Sequence, residues 1–133
     1  MNSHQLGTII LRVVLGISFF THGIVKFQGG IGNTAGWFES IGLPGFLAYV
    51  VATFELVGGL ALILGLATRI VSALLAIIMI GAILTAKLSA GFLGGWELDL
   101  AFFAMAIYLT LNGSDALSLD KTLGFSKREK AAA

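Results

Sequence analysis

The sequence predicts an all-α integral membrane protein, a four-helix bundle with a short interfacial helix between helices one and two. Three observations carry this reading. Of 133 residues, 57% are hydrophobic and 11% charged, against about 25% charged in a soluble domain. The apolar residues fall into four runs of nearly the length that crosses a bilayer as a helix, about 20 residues. Strict alternation of apolar and polar residues, the mark of a membrane barrel, is absent. The chain reads as one membrane domain, 1–133, with a tail at 113–133.

The first span is placed at 6–25. No basic residue precedes its apolar core, it contains Arg12, and no small-residue cleavage pattern follows, so it does not read as a signal peptide. Gly29, Gly30 and Gly32 end it. Asn33 or Thr34 then caps a short helix carrying Trp37, Phe38 and Ile41. Tryptophan favours the headgroup layer, which puts this piece along the membrane surface and Trp37 at the interface. Pro44 suits the first turn of the second span, 45–66. A tight turn at 67–69 leads to the third span, 70–90. Gly91, Gly94, Gly95 and Trp96 connect it to the fourth, 97–111, the shortest.

Four spans put both termini on one side. Lysine and arginine in short flanks mark the cytoplasmic side; Arg69, Lys121, Lys127, Arg128 and Lys130 then lie inside, with only Lys26 and Lys87 outside. The expected location is the plasma membrane, multi-pass, with both termini cytoplasmic.

Ionisable groups within the spans are costly in hydrocarbon and normally face a partner or a wet cavity. Arg12, Gly16, Phe19, Gly23 and Lys26 share one face of the first helix, with His22 at its edge. Glu55 lies near the midplane on a face with Gly58, Gly59 and Gly65, a small-residue packing face. This predicts a buried Glu55 whose cation is Arg12 or His22. Glu97 shares a face with Ala101, Ala104 and Tyr108 and is expected to point inward; Asp99 is left at the interface. Arg69 reads as an interface anchor. The bland alternative has equal standing for Arg12 and Glu55, a buried pair that fixes helix register. Lys87 and Glu97 read equally as a rim salt bridge, and Tyr108 and the phenylalanines as packing.

Several function classes are excluded. A net charge of +1 with no basic stripe gives nucleic acid no purchase. The chain has no cysteine, hence no thiol–disulfide chemistry of its own. Its two histidines, His4 and His22, lie roughly 27 Å apart on one helix and cannot both ligate one haem. No metal site is expected, and no cofactor is held by the chain's own chemistry, save that a bound quinone would fit the polar interior.

The ordered set Arg12-x3-Gly16-x2-Phe19-x2-His22-Gly23-x2-Lys26 resembles the first-helix signature of the DoxX family of small four-helix membrane proteins. Glu55-x2-Gly58-Gly59-x2-Leu62-x2-Gly65-Leu66-x-Thr68-Arg69 is similar to its second-helix signature. Gly42-Leu43-Pro44 and Ser118-Leu119-Asp120 also fit. The resemblance spans 6–120 and is closest to Bacillus-type members associated with catechol and quinone resistance. It implies an oxidoreductase label, with a quinone, a flavin or a partner subunit supplying the redox centre.

The expected function is a membrane oxidoreductase subunit that binds a quinone or catechol-like molecule in the bundle, linked to quinone or oxidative stress resistance. Arg12 and Glu55 form the polar floor of the site. His22, Lys26, Lys87 and Glu97 line its outer mouth, and Phe19, Phe54 and Tyr108 contact the ring. No catalytic residue is assigned. Beyond the lipid bilayer, the expected partners are a small aromatic, a redox protein and a second copy in a homo-oligomer. The alternative is a non-catalytic membrane scaffold or a small proton-coupled transporter.

Overall fold

The computed structural model describes residues 2–114 and 118–122, less the side chains of residues 86 and 87. Helix α1 spans Ser3–Gln28. It starts where Asn2 and Gln5 form a reciprocal capping box: the Gln5 N–H donates to Asn2 Oδ1 at 2.8 Å and the Asn2 N–H to Gln5 Oε1 at 3.0 Å. It stops at Gly29 and Gly30, the latter at φ +90°. The short helix α2, Ile31–Ser40, stands where the loop composition predicts one. Helix α3 is Phe46–Leu64, closed by Gly65 in the left-handed region at φ +71°. There the Leu66 N–H returns to the Ala61 carbonyl at 2.8 Å, satisfying end carbonyls that would otherwise be orphaned.

Helix α4 runs Thr68–Ala82. The uniform third span expected over 70–90 is corrected here. Beyond Ala82 the chain widens into a π-helical turn, Ile83–Lys87, then a 3₁₀ turn, Leu88–Ala90. An irregular stretch, Phe92–Trp96, kinks at Leu93 and Gly94 before helix α5, Glu97–Asn112. A last turn of helix, α6, covers Leu119–Thr122. Among the described residues, four helical stretches are long and apolar enough to cross a membrane: Ser3–Gln28, Phe46–Leu64, Thr68–Thr85 and Phe92–Asn112.

The bundle is built from two tight pairs, α1 with α3 and α4 with α5; the contacts joining one pair to the other are sparser. Glycine makes the first pair close. A Cβ on Gly16 would sit 2.8 Å from the Gly59 carbonyl, one on Gly23 would sit 2.7 Å from the Leu56 nitrogen, and one on Gly59 would collide with the Phe20 nitrogen. Backbone thus meets backbone, as small residues permit between helices in lipid. Leu15, Phe19, Leu62, Leu75, Ala76, Met79, Ala106 and Leu109 form the buried core between the pairs. Ile10, Ile17, Val57, Ile70, Ile77, Leu84 and Leu111 stand exposed, as lipid-facing side chains should.

Candidate functional site

The antiparallel contact of α1 and α3 sets which polar groups can meet. With Gly16 on Gly59 and Gly23 on Leu56, Lys26 arrives opposite Glu55, one turn nearer the end of the bundle remote from the termini. The Lys26 ammonium donates to both Glu55 carboxylate oxygens, each at 2.8 Å. Glu55 is 4% exposed. Its burial follows the expectation, but its partner is Lys26 rather than Arg12 or His22. The same register places Arg12 beside Gly65, whose Cβ would lie 2.7 Å from Nη1 of Arg12. Ten residues of α3, roughly 15 Å along its axis, separate that level from Glu55. Arg12 therefore does not reach Glu55.

Arg12 belongs to a second polar cluster at the termini end. Its Nη1 donates to Ser114 Oγ at 2.9 Å, and Asp120 acts on it electrostatically. Asp120, fully buried, accepts from the backbone N–H of Ala67 at 2.6 Å and of Thr68 at 2.9 Å. It caps α4 from a distant part of the chain. Arg69 is half-buried one residue into that helix. Arg12 thus ties α1 to the segment after α5, and the expected Arg12–Glu55 floor does not form.

Around Lys26 and Glu55 lies a cavity of about 440 Å³. Helix α1 contributes Phe19 and His22, α2 contributes Trp37 and Phe38, and α3 contributes Leu47, Val51 and Glu55. Ile78, Met79, Gly81, Ala82 and Thr85 close it from the α4 side, and Leu98, Asp99 and Phe102 from α5. The lining is largely apolar with a few convergent polar groups, the usual make-up of a small-molecule site. Phe102 packs on Phe19 with ring centres 5.5 Å apart and meets His22 edge-on at 6.1 Å. His22 itself is exposed at the rim. Trp37, also at the rim, packs edge-on against the buried Phe38.

The inward and interfacial carboxylates are the reverse of expectation. Asp99 is buried and lines the cavity, whereas Glu97 accepts from the Gly94 N–H at 2.9 Å and holds the kink before α5. Ala101 and Ala104, on the Glu97 face, are both exposed, so their small size marks no packing face, and Asp99 lies on the face of the buried Ala106. Tyr108 lies far from the cavity, its hydroxyl 3.2 Å from Thr8 Oγ1 and 3.4 Å from His4 Nδ1. Phe54 is 44% exposed and outside the lining. Lys87 ends the π-helical turn; its side chain lies outside the described residues. The sequence reading places Asp99 at the interface and gives Asp120 and the α4 wall no part in the site. The constant register implied by Gly16, Gly23 and Gly59 was the available signal for the Lys26–Glu55 pairing.

Comparison with known proteins agrees with this architecture. The DoxX family model matches residues 7–88. "Putative oxidoreductase CatD" of Bacillus subtilis (strain 168) is 52% identical over 118 residues, 89% of this chain and 87% of that one. "Uncharacterized membrane protein Rv3486" of Mycobacterium tuberculosis is 37% identical over 138 residues, 92% of this chain and 83% of its own length. "Inner membrane protein YqjF" of Escherichia coli is 37% identical over 65 residues, 49% of each chain. No solved structure matches.

Proposed function

The chain belongs to the DoxX family of membrane proteins, and on that premise we propose that it is a plasma-membrane oxidoreductase subunit binding a quinone or catechol ring in the cavity beside Lys26 and Glu55. The observation that carries this is the cavity itself: aromatic walls from Phe19, Phe38 and Phe102 around a charged pair. An aromatic ring fills such a space by stacking and edge contacts. Its oxygens would take hydrogen bonds from Lys26, whose ammonium has three donors, only two of them engaged by Glu55.

Converting a quinone to a hydroquinone takes up two electrons and two protons. His22 at the rim, whose ring nitrogens can donate and accept, is placed to pass protons, with Asp99 as a second carrier inside. The electrons come from a partner redox protein, as the chain has no cysteine for a thiol–disulfide couple of its own. Both termini are assigned to the cytoplasm from the lysine and arginine bias, which opens the cavity end to the outer side.

A second reading rests on one specific feature. Lys26 satisfies both Glu55 oxygens, as a pair that only fixes helix register would. On that reading the protein is a scaffold or a small proton-coupled transporter. A strain lacking the protein, complemented with variants checked by immunoblot, separates the readings. The paired change Lys26→Met with Glu55→Leu, and separately His22→Gln, should keep expression but lose protection against catechol or quinone stress. Full protection by both variants would overturn the ligand-site reading.

A further inference from the structure

The cavity has a gap in its α4 wall. Gly81 lines the cavity and is also exposed. Its neighbours on the same helical face, Ile77 and Leu84, are 68% and 65% exposed, so this row looks out into the bilayer. Gly81 is thus a notch in a lipid-facing row. It lies inside the apolar stretch Thr68–Thr85, four residues from its far end, about 6 Å below that level. Among the described residues, a Cβ built there meets no atom within 4 Å. One turn on, Thr85 also lines the cavity, its hydroxyl donating to the Gly81 carbonyl at 2.6 Å. The π-helical turn starting at Ile83 widens the wall just beyond; such turns recur at functional positions. The same cavity is lined by Lys26 and Glu55, its charged pair. A path therefore runs from hydrocarbon, past Gly81, to a charged pair.

We propose that this opening is a lateral portal, and that the cavity takes an amphiphile dissolved in the membrane: a polar-edged aromatic ring lodged near Lys26 and Glu55, with an aliphatic chain leaving over Gly81 into lipid. This rests on the ligand reading above and narrows it, since a water-soluble catechol has no chain to seat in the notch. The occupant's chemistry follows from the path. A chain that leaves over Gly81 stays in hydrocarbon throughout, so the ring enters without its chain crossing water, and the buried pair offers hydrogen bonds to a ring oxygen.

The test uses the full chain in phospholipid nanodiscs with Trp96→Phe, which leaves Trp37 of the cavity rim as the sole tryptophan. Quenching of Trp37 reports binding of 2,3-dimethoxy-5-methyl-1,4-benzoquinone, with and without a decyl chain. Each compound is compared between variants, so its own partition into lipid cancels. Gly81→Leu fills the notch, and Thr85→Leu fills it from the next turn should the first variant fold poorly. Either should weaken binding of the decyl compound by about tenfold or more, the cost of forcing its chain against the added side chain, and should weaken the chainless ring distinctly less. If neither variant changes either affinity, or both compounds weaken equally, the portal is overturned although the ligand site stands. If neither compound quenches Trp37 in the parent, the ligand reading fails and the portal with it.

Discussion

The ammonium of Lys26 bridges both carboxylate oxygens of Glu55 at 2.8 Å, joining α1 to α3 at the wall of the cavity. The arrangement is asymmetric in exposure: 25% of the Lys26 side chain is accessible and 5% of Glu55. The lysine can withdraw along its stem toward the headgroups, whereas the carboxylate has nowhere to go.

That asymmetry orders the single variants. Lys26→Met leaves Glu55 buried without its cation and should cost more than Glu55→Ala, which frees a lysine able to reach water. The expected losses are about 3 kcal/mol and about 1–2 kcal/mol, the second discounted for exposure. The paired change to Met and Leu should recover most of the parent's stability. Thermal melts in detergent check the order; equal melting of all four proteins would mean the pair carries no stability.

The contact of α1 and α3 should be the least forgiving feature of the fold. Gly59→Val or Gly23→Val drives a side chain into the opposing backbone, where no rotamer gives relief. Each should cost about 3 kcal/mol or more or prevent accumulation. Gly7→Ala and Gly32→Ala, where a Cβ meets nothing, should express and melt like the parent. A size-exclusion profile with a melt decides; a native-like Gly59→Val would refute the close packing.

Asp120 should anchor the end of the chain. Its carboxylate caps α4 through Ala67 and Thr68 and faces the charge of Arg12. Asp120→Ala removes the cap and the countercharge together, with an expected loss of about 2–4 kcal/mol. Asp120→Asn keeps one acceptor and should fall between. The effect should survive in Lys26→Met with Glu55→Leu, since the two clusters lie too far apart to couple. Non-additive losses in a double-mutant cycle would contradict that independence.

Orientation is tested by single cysteines in this cysteine-free chain. Gly32→Cys, at an exposed position with room for a side chain, should react with an impermeant thiol reagent on intact cells. Ser126→Cys should react only once the membrane is opened. The opposite pattern would reverse the assignment of sides.

Much of the fold was legible without a structure because membrane insertion is governed by one-dimensional quantities. Long apolar runs, glycine breaks and scarce charge suffice to place four spans and the short helix after the first, and Glu55 amid glycines was marked for burial. Partner choice is different. Arg12 and Lys26 lie on the same face of one helix, and either could have served Glu55. What decided between them was the register imposed where Gly16 meets Gly59 and Gly23 meets Leu56, a contact between residues distant along the chain. Likewise Asp99 lines the cavity while Glu97 holds the loop at Gly94, because the face of α5 that turns inward is set by its packing on α4 and not by the small size of Ala101 and Ala104. The cavity and its notch are wholly tertiary. They exist because the two helix pairs pack tightly within themselves and loosely across, and because Gly81 has no side chain to fill the space that this leaves.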